Sequence, residues 1–467
     1  MRRFIFSLVF LTSAATVMLL GLGACGSSEP TPPPPAPSRT IGVSVSGLTG
    51  SGLVLQNNGG NDLSIASDGT FTFTSAVAQG AAYAVTVRTQ PVGQTCTVSD
   101  GSGTAGSANV TAVKVACTTT VAVTISGFVY VTSAIDPGNN TISAYGINTA
   151  NGSLIPIAGS PFATGGIPDG VAVSPSGKFL VVPNETTQNV SVYAINANTG
   201  VLAPVPGSPF AGVAGGSPAD AVFDRSGAFL YVVNSSTNNL TVYAVDINTG
   251  VLTLRNPPVT VGVQPQSLAV DPSGKYLLVA NGGSNNVSVF AIDATTGALT
   301  TVAGSPFDAG RFAYDISFGA AGKYVYVENA GATPGPGSLS AFSLDPSTGA
   351  LVPLPGSPLA IVSNGYLRAD AAGTFLYVPV GTGLSVYSIN ATTGGLTLVA
   401  GSPFPAGNDP SDVNLDPSGR FVYVTNFGSQ TVTGYAINQT TGQLTQVPGS
   451  PFAAGTKPLR IATAPRP

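Results

Sequence analysis

The ionisable side chains of this chain are few, and several of them recur at one position of a repeated segment. The 467 residues include 20 Asp or Glu, 16 Lys or Arg and no His. Asp220, Asp315 and Asp412 hold the same position in three copies of the repeat, and Arg460 holds it in the last. Glu328 ends the strand after the one that carries Asp315, where sister copies have a small residue. A carboxylate pair close to guanidinium groups can transfer protons or bind a polar ligand.

Two further polar residues, Arg368 and Asn414, lie two positions after this site in their own copies. Side chains on a strand alternate between its two faces, so positions two apart share a face. The intervening positions are nearly all apolar, as at Leu268, Ile316 and Ile461. We therefore predict that the apolar row packs between neighbouring sheets. The polar row should face a shared central channel, and it comprises Asp220, Asp315, Arg368, Asp412, Asn414 and Arg460.

These residues support two interpretations. In the first, Asp315 and Glu328 are candidate catalytic residues, and the candidate substrate-binding residues are Arg368, Arg460, Asp220, Asp412 and Asn414. In the second, each Asp accepts backbone N–H bonds and holds neighbouring sheets together, while the two Arg neutralise the carboxylates. The other Glu residues, Glu29 and Glu185, fall in a Pro-rich segment and a turn.

Missing residue types exclude several functions. Without His, the chain has no His general base, Ser-His-Asp triad or His-ligated metal site. We expect neither a metal nor a cofactor. The net charge is −4, and Lys and Arg cluster only at the extreme N-terminus. Nucleic-acid binding requires a basic face, so we exclude it. The absence of Trp weakens an aromatic sugar-stacking surface.

The composition indicates an all-β protein with many tight turns. Gly 59 and Pro 38 are abundant, 43% of residues are hydrophobic and only 8% are charged. Runs rich in Val, Thr and aromatic residues alternate with Gly, Asn and Asp turns. A disordered chain would be more charged and less apolar.

Seven copies of one unit follow residue 119. An aromatic-rich strand starts at positions 46 to 51 residues apart, namely Phe128, Phe179, Phe229, Tyr276, Tyr324, Phe375 and Phe421. Each copy continues with an alternating strand such as VSVYAIN, a Thr-Gly-type turn and, in most copies, a GSPF or GSPL loop; the third copy has Pro257-Pro258 instead. Four strands at this period are typical of propeller blades. We predict a seven-bladed β-propeller over residues 119–467.

The ring must be closed by pairing of distant strands. The segment Pro458–Thr463 matches the strand that precedes each later copy, and we expect it to pair with the strand near Phe128. The alternative is the segment Val121–Thr124, which has a similar pattern and would displace the C-terminal strand. Closure removes an exposed edge that would otherwise promote aggregation.

The repeats resemble the YVTN-type and lactonase-type seven-bladed propellers over about 340 residues. The last copy reads Tyr423-Val424-Thr425-Asn426. The resemblance implies hydrolysis of a sugar lactone or related cyclic ester at the channel mouth, as in 6-phosphogluconolactonases. Asp315 and Glu328 would then activate water, and Arg368 or Arg460 would stabilise the oxyanion.

Two departures from this family favour another function. Active members use His together with Glu and Arg, whereas this chain has no His. The phosphogluconolactone substrate is cytosolic, whereas this chain carries an export signal. The second hypothesis is therefore a surface protein whose propeller binds a small polar ligand, a polysaccharide or an envelope protein without turnover. Fold alone does not decide between the two.

The N-terminus predicts export and lipid anchoring. Met1–Arg3 is basic, Phe4–Leu20 is apolar, and small residues precede Cys25. This order predicts a lipoprotein signal peptide over residues 1–24 and a membrane anchor on the Cys25 lipid. The alternative is an uncleaved membrane anchor with an incidental Cys. Residues 25–39 are Pro-rich and predict an extended tether. We expect a cell-envelope location, at the outer membrane, periplasm or cell surface.

Residues 40–118 read as short strands and predict a small β-sandwich that resembles Ig-like accessory domains. Cys96 and Cys117 are expected to form a disulfide because export leads to an oxidising compartment. Closing a loop of about twenty residues would contribute roughly 3 kcal/mol. The alternative is two free buried thiols.

Overall fold

A computed structural model describes residues 36–119, 123–133, 140–330, 337–361 and 365–466 of the chain. The predicted signal peptide and Cys25 lie outside these residues. The chain divides into two compact units, residues 1–122 and 123–467. The described regular structure is all β apart from a short 3₁₀ turn, Ala320–Gly322. None of the described residues forms a helix of the length and apolarity that crossing a membrane requires.

The first unit contains two four-stranded sheets with a shared apolar core. Its strands are β1 (Ser38–Arg39), β2 (Ile41–Ser46), β3 (Leu53–Asn57), β4 (Asn61–Ile65), β5 (Gly69–Thr72), β6 (Val77–Ala78), β7 (Ala82–Thr89), β8 (Gln94–Ser99), β9 (Ser102–Thr104) and β10 (Val110–Thr119). The sheet orders are β5-β2-β10-β8 and β4-β3-β7-β9, and β1 pairs with β6. Alternate residues of β2, such as Ile41 and Val43, point into the core with Leu55 and Val113.

Cys96 and Cys117 form a disulfide inside this unit, with an S–S distance of 2.02 Å. They lie directly opposite each other on the antiparallel strands β8 and β10. Both are buried in the apolar core. The bond therefore joins two strands of one sheet.

The second unit contains seven sheets, each of four or five strands. Blade 1 contains β11 (Ile125–Ser133), β12 (Thr141–Asn148), β13 (Leu154–Pro156) and β14 (Phe162–Ala163). Blade 2 contains β15 (Ala172–Val173), β16 (Phe179–Asn184), β17 (Asn189–Ile195), β18 (Leu202–Pro204) and β19 (Phe210–Ala211). Blade 3 contains β20 (Pro218–Phe223), β21 (Phe229–Asn234), β22 (Asn239–Val245) and β23 (Leu252–Thr260). Blade 4 contains β24 (Pro265–Val270), β25 (Tyr276–Asn281), β26 (Asn286–Ile292), β27 (Leu299–Thr301) and β28 (Phe307–Asp308).

The remaining blades repeat this order of strands. Blade 5 contains β29 (Ala313–Gly319), β30 (Tyr324–Asn329), β31 (Gly337–Leu344), β32 (Leu351–Pro353) and β33 (Leu359–Ile361). Blade 6 contains β34 (Arg368–Ala369), β35 (Phe375–Val380), β36 (Gly383–Ile389), β37 (Leu396–Leu398) and β38 (Phe404–Pro405). Blade 7 contains β39 (Pro410–Leu415), β40 (Phe421–Asn426), β41 (Thr431–Ile437), β42 (Leu444–Gln446) and β43 (Phe452–Ala453), and the chain ends with β44 (Pro458–Pro465).

The C-terminal strand closes the ring. β44 pairs antiparallel with β11, with Val131 opposite Ile461, and becomes the inner strand of blade 1. The expected closure by Pro458–Thr463 is confirmed. β44 holds the inner place, and the alternative segment Val121–Thr124 lies partly outside the described residues. Blade 1 is therefore built from both ends of the propeller sequence.

Neighbouring blades are joined through Tyr side chains and Gly turns. The Tyr130 hydroxyl on β11 donates to the carbonyl of Gly200 in blade 2, over 2.8 Å, and Tyr326 makes the equivalent bond to Gly394 over 2.7 Å. Gly200 has a φ of +71°, and a Cβ there would lie 2.4 Å from the Phe128 ring. Only Gly fits both the left-handed backbone and the close approach of the ring. The Thr-Gly turns of the repeat thus serve as contacts between blades.

The inner strands are not regular at their starts. In β20 the pairing passes from Pro218↔Asn234 to Asp220↔Val233, so one extra residue is inserted. The same shift occurs in β24, β29 and β39. A β-bulge of this kind breaks the alternation of faces and redirects a side chain. The inserted residues lie at the channel mouth, one residue before the predicted polar row, and are Ala219, Gln266, Tyr314 and Ser411.

Candidate functional site

The inner strands enclose a central cavity of about 250 Å³. Its lining includes the whole predicted polar row, namely Asp220, Asp315, Arg368, Asp412, Asn414 and Arg460. These residues come from five different blades. Leu268, Ile316 and Ile461 of the apolar row also border this cavity. Their side chains are buried in apolar clusters shared with a neighbouring blade.

The carboxylates of Asp315 and Asp412 join neighbouring inner strands. Asp315 accepts from the Ser267 hydroxyl over 2.7 Å and from the backbone N–H of Leu367 over 2.8 Å. Asp412 accepts from the N–H of Val413 over 2.7 Å and from that of Ile461 over 3.0 Å. All four carboxylate oxygens are thus engaged within the protein. This arrangement matches the structural interpretation of these Asp residues.

Burial raises the pKa of both carboxyl groups, to about 7 for Asp412. The positive charges of Arg460 and Arg368 oppose this shift without cancelling it. Arg368 lies half-buried on β34 and lines the same cavity. Asn414 donates from Nδ2 to the carbonyl of Ile461 over 3.1 Å, and so adds another contact between blades.

Arg460 lines the central cavity and contacts residues of two other blades. Its Nη2 lies 2.8 Å from Oδ1 of Asp220, and both side chains are almost completely buried. Its guanidinium carbon lies 3.3 Å from the centre of the Tyr366 ring. Tyr366 packs against Tyr314 with ring centres 4.7 Å apart. The Arg460 guanidinium is therefore held by an ion pair and an aromatic contact. This is one of the two groups that the sequence suggested for stabilising an oxyanion, and here it is already engaged within the protein.

Glu328 lies on β30, directly opposite Asp315 in the pairing of β29 with β30. It is fully buried and is not among the residues that line the central cavity. Burial is the main cause of the raised pKa of Tyr314, and the charge of Glu328 adds to it. The two candidate catalytic residues are neighbours across the strands, but only Asp315 reaches the channel.

A second, larger cavity of about 580 Å³ lies at the mouth beside blades 2, 3 and 4. Its lining is mostly polar and comprises Asp169, Glu185, Ala219, Ser235, Ser236, Asn238, Val263, Gln264 and Gln266. Sequence analysis missed Asp169 and assigned Glu185 to a turn. Asp169 precedes β15 at the place that the bulged residue holds in other blades, and strict alternation would have turned it toward the neighbouring blade. Glu185 could have been found from the sequence, because Glu is rare in this chain and Glu185 directly follows the second strand of its blade.

Burial raises the pKa of Asp169 to about 7. Arg460 opposes the shift, whereas Glu185 and Asp220 add to it. Asp169 also raises the pKa of both Tyr314 and Tyr366. These mutual effects show that the mouth cavity and the Arg460 cluster share one electrostatic environment.

Phe312 and Tyr314 flank the first residue of β29, and neither of them lines the mouth cavity. The rings of Phe312 and Tyr314 are stacked with centres 6.3 Å apart. A Cβ at Gly282 would lie 3.1 Å from the Phe312 ring and 3.2 Å from Cγ of Gln266, so Gly282 lies close to both side chains. Among the described residues, no group of three or more Cys, Asp or Glu is placed to hold a metal ion. The lining of the mouth cavity thus offers carboxylate, hydroxyl and amide groups.

The fold and this axial site define a propeller of the lactonase class. Residues 115–214, 205–311 and 353–458 match the family of lactonase seven-bladed β-propellers. The chain belongs to that family. No curated protein sequence matches it.

Solved structures show the same fold at low sequence identity. One is a candidate 6-phosphogluconolactonase from Bacteroides fragilis, with 19% identity and a TM-score of 0.62, covering 73% of this chain and 98% of that one. Another is the periplasmic gluconolactonase of Pseudomonas aeruginosa, with 20% identity and a TM-score of 0.58, covering 73% of this chain and 99% of that one. At this identity the likeness extends to the fold alone.

Proposed function

We propose that this protein is a cell-envelope lipoprotein whose propeller binds a small polar ligand at the channel mouth. The observation that carries the proposal is the contrast between the two cavities. In the central channel, each carboxylate oxygen of Asp315 and Asp412 accepts a hydrogen bond from the protein itself. In the mouth cavity, Asp169 and Glu185 lie among hydroxyl and amide side chains.

The chemistry of the mouth suits a ligand rich in hydroxyl groups. Each carboxylate has two oxygens that accept hydrogen bonds, while Asn and Gln can both donate and accept. A cavity of about 580 Å³ is in the size range of small-molecule sites.

The proposed location rests on the N-terminal sequence. A basic start, an apolar run and small residues before Cys25 support cleavage and lipidation there. The Pro-rich segment that follows would then hold the folded units away from the membrane surface.

A second candidate is hydrolysis of a lactone, and Asp169 is the observation that favours it. A carboxyl group with a pKa of about 7 is suited to take a proton near neutral pH. In this reaction Asp169 would remove a proton from water as the water oxygen bonds to the lactone carbonyl carbon. The ring C–O bond would then break, and the proton would pass to the leaving oxygen to give a hydroxy acid.

One experiment separates these functions. The chain from Gly26 onward would be titrated calorimetrically with glucose and assayed for turnover of glucono-1,5-lactone, beside Asp169→Asn, Glu185→Gln and the exposed control Asp308→Asn. Glucose binding without turnover, weakened at least tenfold in both mouth variants, would establish the binding protein. Turnover that only the mouth variants lose would establish the lactonase. If neither activity is found, or if the mouth variants behave like Asp308→Asn, the proposal is overturned.

A further inference from the structure

Arg368 is a cation of the central cavity for which the described part of the protein supplies no partner. It begins β34 in blade 6, lines the cavity and is half-buried. Among the described residues, its guanidinium forms neither an ion pair nor a hydrogen bond, and its Nε is closed off from solvent. The two Nη groups are therefore left to face the cavity. A partly dehydrated guanidinium without an acceptor is unfavourable, and an anion in the cavity would supply one.

The other charged groups that line this cavity are already engaged. Arg460 pairs with Asp220 at 2.8 Å. Both carboxylate oxygens of Asp315, and both of Asp412, accept hydrogen bonds from the protein. Burial raises the pKa of Asp412 to about 7, so at pH 6 most of the Asp412 carboxyl groups carry a proton and repel an anion only weakly. The charge that remains available to a ligand is thus that of Arg368.

Solvent reaches the channel on the Arg368 side of a buried polar layer. This layer consists of Asp220, Ser267, Asp315, Asp412 and Arg460, all of which are buried. Two positions later, on the inner strands, several side chains that line the cavity are partly exposed, namely Ala172, Val222, Arg368 and Asn414. The inner strands begin at the mouth, so Arg368 lies between the buried layer and the opposite end of the channel.

Basic side chains surround that opposite end. In six of the seven blades the segment that follows the inner strand carries an exposed Lys or Arg, namely Lys178, Arg225, Lys275, Lys323, Arg420 and Arg466. Three Asp residues of the same turns, Asp224, Asp271 and Asp416, are buried and accept backbone N–H bonds. The exposed residues Asp246, Asp293 and Asp345 lie in the turns after the third strands, farther from the axis. A ring of positive charge around an opening attracts anions.

We propose that the central cavity binds a small monocarboxylate through Arg368, at a site separate from the ligand site at the mouth. A guanidinium presents two parallel N–H donors that match the two oxygens of a carboxylate. A cavity of about 250 Å³ has room for a molecule of a few non-hydrogen atoms. A dianion such as sulfate is disfavoured, because its second charge would lie in the same cavity as the Asp315 and Asp412 carboxyl groups.

Fluoroacetate is the probe, observed by ¹⁹F NMR at pH 6 with the chain from Gly26, which contains every described residue. We expect saturable binding of one equivalent. Fluoroacetamide has nearly the same shape without the charge, and should bind at least about tenfold more weakly. Arg368→Gln should weaken the binding of fluoroacetate to the same extent, and Arg368→Lys should weaken it less. The exposed control Arg311→Gln should bind fluoroacetate like the parent protein.

Val222→Phe tests the position of the site without changing a charge. Val222 lines the cavity and is partly exposed, so a phenyl ring there should fill the cavity and weaken the binding of fluoroacetate. Thermal unfolding confirms that each variant is folded before its binding is compared. If Val222→Phe does not fold, Ala172→Leu replaces it.

Three results would overturn the proposal: no saturable binding of fluoroacetate to the parent protein, equal binding of fluoroacetamide, or parent-like binding in folded Arg368→Gln or Val222→Phe. Displacement of fluoroacetate by glucose would locate it in the mouth cavity and would also overturn the proposal. Sulfate should compete more weakly than acetate, and stronger competition by sulfate would refute the preference for a monoanion.

Discussion

The ionisable residues that line the channel also form hydrogen bonds and ion pairs between blades. Asp412 illustrates both roles, because its carboxylate accepts N–H bonds from its own strand and from β44. Arg460, which forms an ion pair with Asp220, also lowers the pKa of Asp412 by its positive charge. Burying charges is costly unless they are paired and hydrogen-bonded, and this cluster meets both conditions.

We predict that the stability of the propeller falls as pH rises from about 4 to 7. In this window folded Asp412 keeps a proton that the unfolded chain has released, because its pKa is raised to about 7. Each such proton contributes a slope of about 1.4 kcal/mol per pH unit, and above about pH 7 the effect of this group is constant. Asp169 and Asp315 act in the same direction.

Urea unfolding of the propeller between pH 5 and 8 measures this slope. In Asp412→Asn the dependence of the unfolding free energy on pH should become shallower by about 1.4 kcal/mol per pH unit, which corresponds to one proton. The exposed control Asp409→Asn should keep the slope of the parent protein. Stability that rises with pH over this window, or an identical slope in Asp412→Asn, would contradict the assignment.

Strands determine how the site is assembled. The bulges at the starts of β20, β24, β29 and β39 each add one residue, and the later positions of these strands stay in step. Tyr314 is one of the added residues, and Asp169 holds the equivalent position before β15. β44 is equally important, because it supplies Arg460 and the inner strand of blade 1. The two ends of the propeller are thus joined by hydrogen bonds of a single strand.

Removing β44 should abolish the closed propeller. Truncation after Lys457 would expose the edge of β11 from Gly127 to Ser133 and leave Asp220 and Asp412 without their β44 partners. We expect loss of the cooperative unfolding transition, with aggregation through the open edge, observed by size-exclusion chromatography with light scattering.

Truncation after Pro465 is the matched control, since it retains every residue of β44. A synthetic peptide of residues 458–467 should restore part of the folded monomer when added to the shorter protein. If the protein truncated after Lys457 were a stable monomer with an unchanged unfolding transition, β44 would be dispensable.

At the scale of the whole molecule, the two units have separate cores, and only the first contains a disulfide. Cys96 and Cys117 are 21 residues apart, so their bond constrains a loop of the unfolded chain. This constraint is worth about 3 kcal/mol. The stabilisation therefore belongs to the sandwich unit.

The double variant Cys96→Ser/Cys117→Ser should lower the stability of the first unit by about 3 kcal/mol and leave the propeller transition unchanged. Urea unfolding followed by near- and far-ultraviolet circular dichroism resolves the two transitions. Reduction of the parent protein should reproduce the effect. An equal shift of both transitions would show that the units unfold as one.

The sequence alone was sufficient for the architecture, because its information is periodic. Repeats of 46 to 51 residues predicted seven blades, and the alternation within each inner strand predicted which of Asp220, Asp315 and Arg368 face the channel. The closing strand was also predictable, since Pro458–Thr463 repeats the pattern of its sister strands. Such local patterns survive folding because each blade is one supersecondary unit.

Only the tertiary structure revealed how these residues are used. The bonds of Asp315 to Leu367 and of Asp412 to Ile461 span 52 and 49 residues, and depend on the distance between neighbouring strands. The mouth cavity with Asp169 depends on a bulge, which shifts one residue out of an otherwise regular alternation. Which buried polar atoms find hydrogen-bond partners, and how side chains pack, depend on atoms that are distant in the chain. A periodic sequence pattern therefore does not reveal them.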